Sequence, residues 1–253
     1  MAEIARSAKT KIVAIIVLGV TTFAFASGFF VFLGLEFFGP QPVVEPPEEI
    51  RLIDQDLHVE GTFNRYYNES SQQIYFLIPY EDYYHYRMDL ERGVPYQDFI
   101  RPNSVRFIAE YIRDNVIDPN NDEMVLMGLL SFVQDRGDNN ASMHYVYDSD
   151  TSGAKFPLEF FCEGGGDCED ASIAFQSLAQ SLGYETLICF SPQHCFAAVK
   201  MDQPPSVNVD YDPFSIEVDG DFYYTVEGTG YGWMLGQLPG SIDPQVVSWE
   251  HTY

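Results

Sequence analysis

The chain has 253 residues, 46% of them apolar, enough to bury one sizeable core, and 38 acidic against 13 basic residues give a formal net charge of −25. So negative a surface repels a nucleic-acid backbone, which argues against a nucleic-acid partner. Residues 1–35 are net +2, which leaves −27 on the remainder, a load that suits solubility where salt screens self-repulsion.

In chain order, residues 1–11 hold Arg6, Lys9 and Lys11, and no charge interrupts the 24 residues from Ile12 through Leu35. As a helix these measure roughly 36 Å at 1.5 Å per residue, enough to cross a bilayer with some tilt. The basic flank before the run and Glu36 after it predict a single span over 12–35, with residues 1–11 cytoplasmic and the rest extracytoplasmic. A signal peptide cleaved near Ala24-Phe25-Ala26 is the alternative, but Phe29 to Leu33 prolong the apolar run past that point. Residues 36–50 carry Pro40, Pro42, Pro46 and Pro47 and read as an extended linker. Residues 51–253 then read as one extracytoplasmic domain without internal repeats.

Within that domain, alternation of polar and bulky residues from Leu57 to Tyr86 predicts two or more strands. Helical spacing follows at Val105, Ile108, Ala109 and Ile112, and again at Val125, Leu126, Leu129, Leu130 and Val133, with the breaker IDPNND between. The composition of DRGDNNASMHYVYDSDTSG argues against a regular element and suits the border of a cleft. A helix from Asp167 to Leu182, closed by Gly183, precedes strands at Thr186 to Phe190, Cys195 to Met201 and Phe222 to Glu227. This order predicts an α+β fold, helices packed on an antiparallel sheet.

Gly164-Gly165-Gly166 leads into Asp167-Cys168-Glu169-Asp170 at the start of the helix. Cys168 is the candidate nucleophile, because a helix N-terminus favours a thiolate, Asp167 is a natural N-cap, and glycines let backbone N–H groups approach a reacting carbonyl. The plainer reading, a small buried cysteine beside a turn, sits poorly with its acidic neighbours. A thiolate among them needs a cation. His194, in the turn SPQHC before a strand, is the candidate to accept the thiol proton and return it to a leaving group. Glu227, ending FYYTVE, is the candidate acid that fixes the imidazole tautomer, against the alternative of a solvated carboxylate at a strand end.

These segments carry a resemblance. GGGDCEDASIAFQSLAQSLGY is similar to the nucleophile helix of the transglutaminase-like superfamily, and ICFSPQHCFAAV to its histidine strand. YYTVEGTGYGWMLGQLP resembles the acid strand of archaeal and bacterial membrane-associated members. With FVQDRGD and FPLEFF upstream, the resemblance covers residues 120–240. It implies a papain-like core, a catalytic triad of Cys168, His194 and Glu227, acyl transfer through a thioester, and a protein or peptide substrate. Glu227 stands where many members use Asp, so its backbone is expected farther from His194. The same fold serves peptidases, amidases and cross-linking transferases, and water, always available, favours hydrolysis. A non-catalytic cell-surface binding or scaffold domain that has kept the fold is the other reading.

Four cysteines outside the cytoplasm also invite other uses. Cys189 and Cys195 are placed to face each other across the turn FSPQH, and a Cys162–Cys168 bridge would silence the nucleophile. Four thiolates on zinc would need both pairs to accept five intervening residues instead of the usual two to four, which argues against a metal. No phosphate loop, dinucleotide fingerprint or basic patch appears, so no cofactor is expected.

Overall fold

The computed structural model describes residues 52–53, 56–66, 70–88, 95–134, 143–147, 153–192, 194–206, 210–243 and 247–252. The expected span at 12–35 and linker at 36–50 lie outside the described residues, among which no helix is long and apolar enough to cross a membrane. The described part is α+β.

A short β1 (Leu52–Ile53) joins the hairpin of β2 (Asp56–Tyr66) and β3 (Ser70–Pro79), antiparallel with a bulge near Asn64. Period-two alternation turns Leu57, Val59 and Phe63 inward, as the pattern of apolar residues dictates. Gly61 is required there, because a Cβ would overlap the ring of Phe132 where a helix lies on the hairpin. The strand reading does not extend to Tyr86. Tyr80–Arg87 forms helix α1, since Tyr80, Tyr83 and Tyr84 recur at helical and not alternating spacing, with Tyr83 buried. Glu81 and Asp82 in its first turn and His85 and Arg87 in its last complement the helix dipole.

A 3-10 turn (Tyr96–Phe99) leads to α2 (Pro102–Asn115), which buries the expected face of Val105, Ile108, Ala109 and Ile112. α3 (Asp122–Val133) starts where Asn121 caps the Met124 N–H at 3.1 Å, and it is buried almost all round, as befits a central helix. β4 (His144–Tyr145) lies parallel to β5 (Gly165–Gly166), on either side of the short α4 (Pro157–Cys162). α5 (Cys168–Ser181) packs against α2 and against β7 of a five-stranded antiparallel sheet, and Gly183 closes it with φ of 95°. The sheet order is β10-β6-β7-β9-β8, from β6 (Thr186–Ser191), β7 (His194–Lys200), β8 (Ser215–Val218), β9 (Asp221–Val226) and β10 (Ser248–Thr252). α4, β8 and β10 were not anticipated from the sequence, and β4 lies in the polar stretch read as irregular, all being short and weakly patterned.

Candidate active site

Three element ends converge. Cys168 opens α5, His194 opens β7, and Glu227 follows the last residue of β9, the strand paired with β7. Antiparallel pairing brings the start of β7 beyond the end of β9, because the register runs from Ala197 opposite Val226 to Lys200 opposite Tyr223. Glu227 therefore reaches back toward His194. Its Oε2 lies 2.6 Å from the ring Nε2, and the carboxylate is 1% exposed.

A carboxylate accepts, so Nε2 carries the proton and Nδ1 is left for a second partner. The other oxygen, Oε1, accepts from the Thr229 N–H at 2.9 Å and from the Thr229 hydroxyl at 2.6 Å. Phe196, on the same face of β7 as His194, stacks on the imidazole with ring centroids 6.0 Å apart. The ring is thus held by an acid on one edge and an aromatic on one face, and the longer glutamate is accommodated by its own threonine brace. His194, Glu227, Thr229 and Trp233, with Pro239 and Ile242, line an open cavity of about 490 Å³.

The nucleophile turn is built from three local demands. Gly165 has φ of 128° and a Cβ there would overlap the His144 backbone, so β4 and β5 pair only with glycine at this position. Gly166 leaves room for Asp170, whose Oδ2 accepts the Asp167 N–H at 3.3 Å in a capping box. Asp170 Oδ1 accepts the Lys155 N–H at 2.6 Å, while Lys155 Nζ donates to Gly165 O at 2.8 Å and pairs with Glu163 at 3.2 Å. Burial pushes the Asp170 carboxyl up to about 6, with the Lys155 N–H and charge opposing that shift.

The sulfur of Cys168 is next to the histidine strand, since Cys168 packs against the apolar cluster that contains Cys195. The acid loop is close as well: a Cβ on Gly228 would crowd Ala171 of α5, and Gly166, Ala171, Gly228 and Thr229 line one narrow crevice. The thiol itself, however, donates to Glu169 Oε2 at 3.2 Å. Among the described residues no hydrogen bond joins Cys168 to the His194 ring. Ligand atoms of Asp167, Cys168 and Glu169 lie within 4.8 Å of one another, so the thiol is crowded by negative charge. Burial first, and then the bond to Glu169, push Cys168 up to about 12, partly offset by the Cys195 N–H. At neutral pH it is a thiol. Tyr96 and Tyr145 flank the same cluster, and burial with these neighbouring charges raises both phenols.

The other cysteines disperse, and all four are free thiols. Cys189 lies opposite Phe196 and Cys195 opposite Phe190, so strand alternation sends the two sulfurs to opposite faces and a bridge across the turn, one of the uses considered, is not available. Cys162 packs in the main core with Phe160 and Phe161, whereas Cys168 borders the cluster of Phe156, Ile173 and Cys195. That separation removes both the silencing bridge and the four-thiolate zinc site weighed from the sequence.

Sequence reasoning placed Cys168, His194 and Glu227, and the structure brings the three elements together, with the pair His194–Glu227 formed. It missed Thr229, for which the local signal was a hydroxyl two residues after a carboxylate. The preference of the thiol for Glu169 depends on side-chain orientation and left no signal. The chain matches no family model, no curated protein and no solved structure.

Proposed function

We propose that residues 51–253 are a transglutaminase-like thiol enzyme with a papain-like core, tethered outside the cell by the apolar segment 12–35, acting on amide or peptide bonds of a protein substrate. The observation that carries this reading is the 2.6 Å bond between His194 Nε2 and the buried, threonine-braced Glu227, beside a cysteine at a helix N-terminus. A buried carboxylate, 1% exposed and aimed at one nitrogen of a largely buried histidine, is suited to orienting the ring and stabilising an imidazolium.

In the proposed reaction the Cys168 proton moves to His194 Nδ1, and the sulfur attacks the carbonyl carbon. The oxyanion is met by the Cys168 N–H, one of the helix N–H groups without an intrahelical acceptor. His194 then returns the proton to the departing amine, leaving a thioester on Cys168. Water, deprotonated by His194, adds to the thioester; the C–S bond breaks, the acid product is released, and His194 returns its proton to the Cys168 sulfur, which stays on the enzyme. An amine in place of water would give transfer, and hydrolysis is the favoured outcome because water is always present.

The 3.2 Å bond from Cys168 to Glu169 favours a second reading, a binding or scaffold domain in which the thiol is not used. Labelling with an electrophilic thiol probe separates the two. Selective, pH-dependent modification of Cys168 that falls in His194→Ala supports the enzyme; four cysteines of equal or no reactivity sink it.

A further inference from the structure

Gln134 ends α3 and is 2% exposed, yet the function above gives it no part. Every hydrogen bond of its side chain goes to the segment that follows Glu227. Its Nε2 donates to the Glu227 carbonyl at 3.0 Å and to the Trp233 carbonyl at 2.9 Å, and its Oε1 accepts the Gly232 N–H at 3.2 Å. One buried amide therefore satisfies three backbone groups at both ends of a seven-residue loop, residues 227–233, none of which has a strand neighbour there. That loop carries Glu227 and Thr229, which hold His194, and Trp233, which walls the cavity beside it.

Resting on the reading of Cys168, His194 and Glu227 as an acyl-transfer site, we infer that Gln134 is its positioning residue, fixing the acid loop so that Glu227 meets His194 Nε2. The amide is suited to this by having both donors and an acceptor in one plane. A methionine of similar volume would leave two carbonyls and one N–H to find other partners, and the loop would shift to hydrate them. A displacement near 1 Å in the acid is enough to cost about 100-fold in a positioned reaction.

The test uses the full-length chain and iodoacetamide, with Cys168 alkylation followed by mass spectrometry across pH, together with the proton spectrum of the imidazole. Gln134→Met is compared with Glu227→Gln, His194→Ala and Ser131→Ala. Ser131, on the same helix, accepts the Asn64 N–H at 2.7 Å and donates to Gly128 O at 2.9 Å, so its loss weakens the fold without touching the acid loop. Gln134→Met is expected to lose the His194-dependent limb of the alkylation profile and the downfield Nε2 proton shared with Glu227, as Glu227→Gln does. Ser131→Ala keeps both at a lowered melting temperature. Should Gln134→Met not fold, Gln134→Glu, which keeps the Gly232 acceptor and loses both donors, must give the same two losses. Retention of the limb and the downfield proton in the Gln134 variants, or their equal loss in Ser131→Ala, overturns the role of Gln134 alone. Identical profiles for wild type and His194→Ala overturn the acyl-transfer reading and this inference with it.

Discussion

His194 and Cys168 open neighbouring elements, β7 and α5, but their side chains are engaged in opposite ways. The histidine is oriented by a buried acid at 2.6 Å, itself braced by Thr229, and it is backed by Phe196. The cysteine is engaged by an acid that is its own chain neighbour, at 3.2 Å, and sits among carboxylates that oppose ionisation. One half holds an imidazole against an acid distant in sequence, and the other holds a thiol proton on a neighbouring one. The transfer proposed between them requires the Cys168 thiol to leave Glu169 for His194 Nδ1.

This contrast is sharpened or broken by four substitutions. The largest effect is expected on the histidine side: Glu227→Gln keeps the shape, removes the charge that stabilises the imidazolium, and lowers the His194-dependent rate of Cys168 alkylation about 100-fold or more. A rate unchanged from wild type would show that the acid is structural. Thr229→Val removes the 2.6 Å hydroxyl bond to Glu227 but leaves the N–H bond, so a loss of about tenfold is expected.

On the cysteine side the sign reverses. Glu169→Gln removes the negative acceptor that holds the thiol proton, so the apparent pKa of Cys168 falls from about 12 and alkylation at pH 7 rises, about tenfold for each unit of the fall. A fall in reactivity instead would mean that Glu169 assists the reaction. The smallest effect is on stability. Asp170 keeps its proton up to about pH 6 when folded and loses it near its ordinary value of 3.8 when unfolded. The folded state then binds more protons between those values, so this contribution to stability is full below about pH 4 and falls as pH rises to 6, by on the order of 2–3 kcal/mol. Unfolding free energies from urea titrations at pH 4 and pH 6.5 should differ less in Asp170→Asn than in wild type by about that amount.

Much of this frame was legible in the sequence because it depends on local rules. The start of α5 follows from glycines, a capping acid and helical spacing, and β7 and β9 follow from short continuous apolar and aromatic runs that fix where His194 and Glu227 stand. The same rules failed at Tyr80–Arg87, where tyrosines suit strand and helix alike and only their spacing separates the two. α4, at six residues, is too short for its periodicity to be read.

What only tertiary structure decided lies in contacts between residues distant in sequence. His194 and Glu227 are 33 residues apart, and their bond depends on the antiparallel register of β7 with β9. Gln134 reaches the acid loop across 93 residues, through the burial of α3 beneath it. Cys189 and Cys195 looked pairable along the chain, and strand alternation set them on opposite faces. The sequence by itself determined which residue types stand at the ends of the three elements, since backbone geometry repeats over a few residues. Which of them touch was decided by packing, in the register that joins His194 to Glu227 and the side-chain orientation that turns the Cys168 thiol to Glu169.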